Sequence, residues 1–229
     1  MSKLKWDLSA ERFYETGVKN CVLYVKDSTG YSKGVAWNGV TAITESPSGA
    51  EATALYADDM KYLELMSNEE FGATIEAYTY PAEFAPCNGS VEVNGVIVGQ
   101  QTRKAFGLSY ITTKGNADEG NDAGYIVHLI YNAKAAPSEK AYATINDSPE
   151  AITFSWELTT TAEDPGVKVG DVALKPTAHI EIDSTKVNDK DKMQALLDVL
   201  QGKDGEEGTA GEPTLPDVAT VIAMFKAEA

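Results

Sequence analysis

"AYATINDSPEAITFSWELTTT", residues 141–161, carries the alternation that decides the fold. From 152 to 159 apolar and polar side chains take turns. Ile152, Phe154, Trp156 and Leu158 fall on one face of an extended chain, and Thr153, Ser155, Glu157 and Thr159 fall on the other. A strand of this kind buries an aromatic-rich side in a core and presents hydroxyls and a carboxylate to a second environment. What lies on that second side is the functional question.

The same period recurs on either side of this stretch. "FGATIEAYTY" (71–80) sets Thr74, Glu76 and Tyr78 against Ile75, Ala77 and Thr79, less cleanly. "NCVLYVKD" (20–27), "KAFGLSYITT" (104–113), "GYIVHLIYNAKA" (124–135) and "TAHIEID" (177–183) also read as strands. Asn38-Gly39 predicts a hairpin or a loop, Asn94-Gly95 predicts a hairpin turn, "NEE" is expected to join strands at 60–67 and 71–80, and the polar, Gly-rich "KGNADEGNDAG" is expected to join 104–113 to 124–135. Pro81 starts a single helical turn. Residues 44–59 have no periodicity and contain Pro and Gly, which predicts a long loop reaching away from the core.

After residue 185 the period changes. Met193, Leu196, Leu197 and Leu200 recur at helical spacing over 188–202, with Asn188 or Asp189 to cap the start and Gly202 to end it. A flexible acidic linker is expected over 203–216, then a second short helix over 217–229 led by Pro216. The predicted fold is therefore mainly β, an antiparallel sandwich or barrel over 1–186 with a short flanking helix, followed by a C-terminal helical extension over 187–229.

Composition narrows the function. The 229 residues, 43% of them hydrophobic, suffice for a proper core, and no apolar run approaches the ~18 to 20 residues that cross a bilayer as a helix. The start, "MSKLKWDLSAERF", has no apolar stretch of signal-peptide length, so the expected compartment is cytoplasmic and Cys21 and Cys87 are expected as buried thiols. The 19 basic and 35 acidic residues give a net charge of −16, which excludes gripping nucleic acid by phosphate neutralisation. Excess acid also simply keeps a protein soluble.

Catalytic and metal motifs are sought without success. Gly34–Gly39 and Gly115–Gly120 have P-loop glycine spacing, but Val40 and Asn121 stand where the phosphate-binding lysine is needed. "GLSYI" lacks the second glycine of a nucleophile elbow, and His128 and His179 lie in predicted strands. The two histidines and two cysteines lack the paired spacing of a zinc site, and "NADEGNDAG" lacks the order of a calcium loop. No catalytic residue, cofactor or metal is expected.

Several longer stretches carry more. "GVAWNGVTAITESPSGAEATALYADDMKY", "FGATIEAYTYPAEFAPCNG", "FGLSYIT", "GYIVHLIYNAKAAPSEKAYATINDSPEAITFSWELTTT" and "LPDVATVIAMF" resemble, in order along most of residues 18–229, the major tail proteins (tail tube proteins) of long non-contractile-tailed phages and prophages of Gram-positive bacteria. Residues 203–214 are the least typical part.

The resemblance implies a structural virion protein of the tail. Its β-sandwich would form hexameric rings that stack into a tube, assembled in the host cytoplasm, through which genomic DNA passes without specific binding. The implied partners are other copies of the chain, a tape measure protein, a tail terminator and tail-tip proteins, with no membrane. In such a tube Thr74, Glu76, Tyr78, Thr153, Ser155, Glu157 and Thr159 are the candidate lumen-facing residues; the opposite assignment puts these polar faces on the outside of the particle. Glu45, Glu51, Tyr56, Asp58 and Asp59, on the stretch 44–59, are the candidate contacts to the next ring. Two other readings stand beside this one: a tube protein of a related bacterial secretion or injection apparatus, and a monomeric β-sandwich binding module.

Overall fold

The computed structural model describes residues 4–31, 33–145, 147–148, 150–205 and 211–226. In chain order the strands are β1 (Tyr14–Val25), β2 (Val35–Ala36), β3 (Val40–Glu45), β4 (Ala52–Ala57), β5 (Met60–Met66), β6 (Gly72–Ala77), β7 (Val91–Val93), β8 (Val96–Val98), β9 (Phe106–Asn116), β10 (Gly120–Ala135), β11 (Phe154–Thr160), β12 (Lys168–Val169), β13 (Val172–Ala173) and β14 (His179–Asp183). Helices α1 (Lys190–Gln201) and α2 (Val218–Phe225) close the chain. The molecule is mainly β and its strand pairs are antiparallel. No helix among the described residues is long and apolar enough to cross a membrane.

One sheet organises the rest, in the order β2-β1-β9-β10-β11-β6-β3 with β14 also paired to β10. Period-2 alternation gives it two buried faces. Cys21 and Leu23 of β1, and Phe106, Leu108 and Tyr110 of β9, point to one core with Ile75, Trp156 and Leu158. Their neighbours Val22, Tyr24, Ile111, Val127 and Leu129 point to a second core made with Met193, Leu196 and Leu200 of α1 and with Val218 and Val221 of α2. The sheet curls around the first core, so that β3 at one end approaches β9 near the other: the Tyr110 hydroxyl donates to Glu45 Oε1. Around Trp156, aromatic edges from Trp37, Tyr80 and Phe84 fill the interior, and the indole N–H of Trp156 donates to Asn88.

Strand β10 serves two partners because of a bulge. Asn132 has φ 50°, and the register against β9 shifts between Ile130 and Ala133. Up to Ile130 the strand pairs with β14, and from Ala133 it pairs with β11. The extra residue also reverses parity, so that Tyr131 faces the helices while Ala133 and Ala135 face the inner core.

Several sequence expectations need correction. Of the two connections open at Asn38-Gly39, the structure has the loop rather than the hairpin, since β2 pairs with β1 whereas β3 pairs with β6. Residues 60–67 do not pair with 71–80; β5 pairs with β4. The stretch 44–59 is therefore the end of β3 and the first arm of a hairpin, not a loop: alternation there has no buried face to reveal it. Ile152 lies ahead of β11 and is 36% exposed, so it is outside the core face expected for it.

Of the linker expected at 203–216, residues 206–210 lie outside the described residues. The part that follows is packed. Leu215 is buried, the Gly34 N–H donates to the Pro213 carbonyl, and a Cβ at Gly107 would meet Leu215 Cδ2 at 2.2 Å. Of the helix expected at 217–229, Val218–Phe225 is helical and 227–229 lie outside the described residues.

Candidate functional site

The alternating strands bring their polar residues onto one surface. β11 pairs with β6 so that Ser155 opposes Glu76 and Glu157 opposes Thr74, and β3 sets Thr44 beside Thr74. Behind them Ala73, Ile75, Ala77, Trp156 and Leu158 are buried. Glu76, Glu157 and Thr159 are exposed, while Thr74 and Ser155 are half-buried. Tyr78 and Thr153, just outside the strand ends, are exposed as well. The outer side of β3, β6 and β11 is thus one hydroxyl- and carboxylate-bearing face, backed by the inner core around Trp156.

The second surface projects. β3 and β6 continue past the sheet as a ribbon, through reciprocal backbone bonds between Ser48 and Glu70, into the β4–β5 hairpin. Gly49, at φ 86°, redirects the chain at its base, where a Cβ would meet the Asn68 carbonyl at 2.2 Å. Asp58 and Asp59 turn the tip with φ 50° and 59°, the doubly positive pair of a tight hairpin turn. Register places Leu55, Leu63 and Leu65 on one face of this arm, with Tyr62 and Met66 on the other, and all five are exposed.

Of the residues expected on this stretch, Tyr56 (72% exposed), Asp58 and Asp59 lie on the arm and Glu51 precedes it. Glu45 does not. It ends β3 and turns back to the mouth of the curled sheet.

Two smaller hairpins share the arm's character. β7–β8 exposes Val91, Val93, Val96, Ile97 and Val98 around the Asn94-Gly95 turn, whose φ values are 48° and 83°, and β12–β13 exposes Val169 and Val172. An isolated two-stranded hairpin is marginal in water, and contiguous exposed apolar surface marks contact with another molecule.

At the mouth of the sheet, residues far apart in sequence meet. His128 of β10 pairs in register with Glu181 of β14, and His179 lies two residues before Glu181 on the same side of the strand. Glu45 joins them from β3: its Oε1 is 3.3 Å from His128 Nδ1 and 3.4 Å from His179 Nε2. The Tyr110 hydroxyl donates to that same Glu45 oxygen. Burial pushes His179 below the usual imidazole range. Although close to carboxylate oxygens, His128 Nδ1 and His179 Nε2 are not aligned for a hydrogen bond, and both are buried without a partner. Spacing along the chain could not find this group. The legible signal was a polar residue at each inward position of otherwise apolar strands, "YIVHLIY" and "AHIEID".

No family model and no curated protein matches the sequence. Three solved structures follow a similar course. A chain of the anti-feeding prophage baseplate has a TM-score of 0.38 at 9% identity, covering 81% of this chain and 99% of that one. A chain of the sheath–tube complex of an extracellular contractile injection system in the extended state has a TM-score of 0.33 at 12% identity, covering 79% and 94%. The tail tube of SPP1 has a TM-score of 0.38 at 11% identity, covering 86% and 93%. These superpositions are too shallow to assign the chain to a family.

Proposed function

We propose that the chain is a structural subunit that assembles with copies of itself into a hollow tube, the tail tube of a long-tailed phage or prophage. The β4–β5 arm is the observation that carries this reading. It exposes large apolar side chains on both faces beside the Lys61–Glu64 ion pair, stands clear of the domain, and is tied to the sheet only through its base, so another molecule must cover it in the working state. A second copy suits it: each copy carries a net charge of −16, and contact through uncharged leucine, tyrosine and methionine avoids most of that repulsion. The ordered resemblance of several segments to tail tube proteins points the same way.

In this assembly six copies form a ring, the arm reaches the next ring, and the face carrying Thr74, Glu76, Ser155, Glu157 and Thr159 lines the bore. Acidic side chains there, on a chain so rich in acid, repel phosphates, so DNA slides through without being held. A tape measure protein, a tail terminator and tail-tip proteins complete the tail in the host cytoplasm.

The test is to replace residues 52–66 with a short Gly-Ser turn and to follow both proteins by size-exclusion chromatography and negative-stain electron microscopy. The full chain is expected to form rings and tubes, and the variant a folded monomer with an unchanged near-ultraviolet circular dichroism spectrum. Tubes from the variant would refute the role of the arm.

A further inference from the structure

We propose that Glu45, His128, His179 and Glu181 bind one divalent transition cation, with zinc as its representative, in a structural site at the mouth of the curled sheet. The inference does not rest on tube assembly. One ligand atom from each of the four residues lies within 4.8 Å of every other. Ligands ~2.0–2.1 Å from a tetrahedral ion stand about 3.3–3.4 Å apart. Glu45 Oε1 meets that spacing to both histidines, at 3.3 and 3.4 Å, and Glu181 Oε1 is 3.8 Å from His128 Nδ1, a small side-chain rotation away.

The nitrogens are presented as ligands. His128 has a side chain only 6% exposed, and its Nδ1 points into the cluster with no hydrogen-bond partner, as does His179 Nε2. A buried ring nitrogen without a partner costs free energy unless something fills the gap. The other nitrogen of His128 is 3.0 Å from the Thr112 hydroxyl, and donating there leaves the Nδ1 lone pair facing the site. Tyr110 stacks on His128 at 4.5 Å and 1°, and Phe71 stacks on His179 at 4.3 Å and 18°, so both rings are held in place before any ion arrives.

Charge and donor type fit a divalent ion. Two carboxylates meet two imidazoles, and neither Glu45 nor Glu181 pairs with a lysine or arginine among the described residues. Mixed nitrogen and oxygen donors suit zinc, whereas magnesium and calcium call for oxygen alone. Four protein ligands close the coordination sphere, which is the mark of a structural site. The half-exposed Glu181 gives an entry path. Bound there, the ion ties β3, which leads into the arm, to β10 and β14 across the open mouth of the sheet.

The experiment uses untagged full-length protein, stripped with a chelator and dialysed against zinc, with Co²⁺ as a spectroscopic probe. Expected are one zinc per chain, a melting temperature that rises to a plateau with zinc, and the strong visible bands of four-coordinate Co²⁺. His179→Gln and Glu181→Gln should each weaken zinc binding by about tenfold or more and abolish the rise in melting temperature. Should His179→Gln fail to fold, Glu181→Gln decides alone, because its side chain sits at the rim. Absence of saturable binding at one ion per chain, or equal affinity in wild type and Glu181→Gln, overturns the site.

Discussion

Burial pushes the thiols of Cys21 and Cys87 up to about 12, because a thiolate there would lose its water, and at Cys87 the Lys104 ammonium offsets this only in part. Both are free and lie in the inner core. Ellman's reagent at pH 8 should therefore leave the native protein unmodified over minutes and titrate two thiols per chain in guanidinium chloride; a fast native reaction would mean the inner core opens readily. At this scale the sequence was legible wherever burial follows alternation. Phe154, Trp156 and Leu158 point inward as their spacing requires, whereas Ile152 lies beyond the strand and loses the rule's support. For His128 and His179 parity tells which side each residue faces, not which distant residue it meets there.

Among the elements, the C-terminal helices were the most legible, for their caps are local chemistry. Asp189 accepts from the Asp191 N–H and Asp217 from the Thr220 N–H, each at the expected start. Asp217→Ala should lower stability by about 1 kcal/mol in urea unfolding at pH 7. Thr220, through its hydroxyl and its backbone N–H, holds the Asp217 carboxyl below the usual carboxylate range. The folded-state pKa is the depressed one, so the cap's contribution is present above the unfolded value of about 3.9 and is lost as pH falls through the folded value. Wild type and Asp217→Ala should accordingly converge in stability on acidification; a gap that persists in acid would locate the effect in the packing of α2. The β4–β5 arm was the least legible element. Strand patterns show in sequence when one face is buried, and this hairpin has both faces exposed, so its first strand, with Leu55 and Tyr56, shows no pattern in sequence, and the strand read at 60–67 lacks its partner there.

For the whole molecule, the proposed assembly sets apolar arms against mutual repulsion. Screening weakens repulsion between like-charged copies and leaves apolar contacts intact, so raising salt from about 0.02 to about 0.5 M should speed the rise in light scattering and lower the concentration needed for tubes. Salt that dissolved the particles would mean that ion pairs hold them together. The general β architecture could be read from alternation and turn chemistry. How the sheet closes could not, because the bulge at Asn132, which divides β10 between β14 and β11, sits in a run that reads as one continuous strand. The decisive measurement is a helical reconstruction by cryo-electron microscopy of particles assembled from the purified full chain. A hollow tube of six-membered rings is predicted, with Glu76 and Glu157 on the bore and the 52–66 arm seated on the adjacent ring. A chain that remains a monomer at high concentration and high salt, or a filament with the arm exposed and no bore, would contradict it.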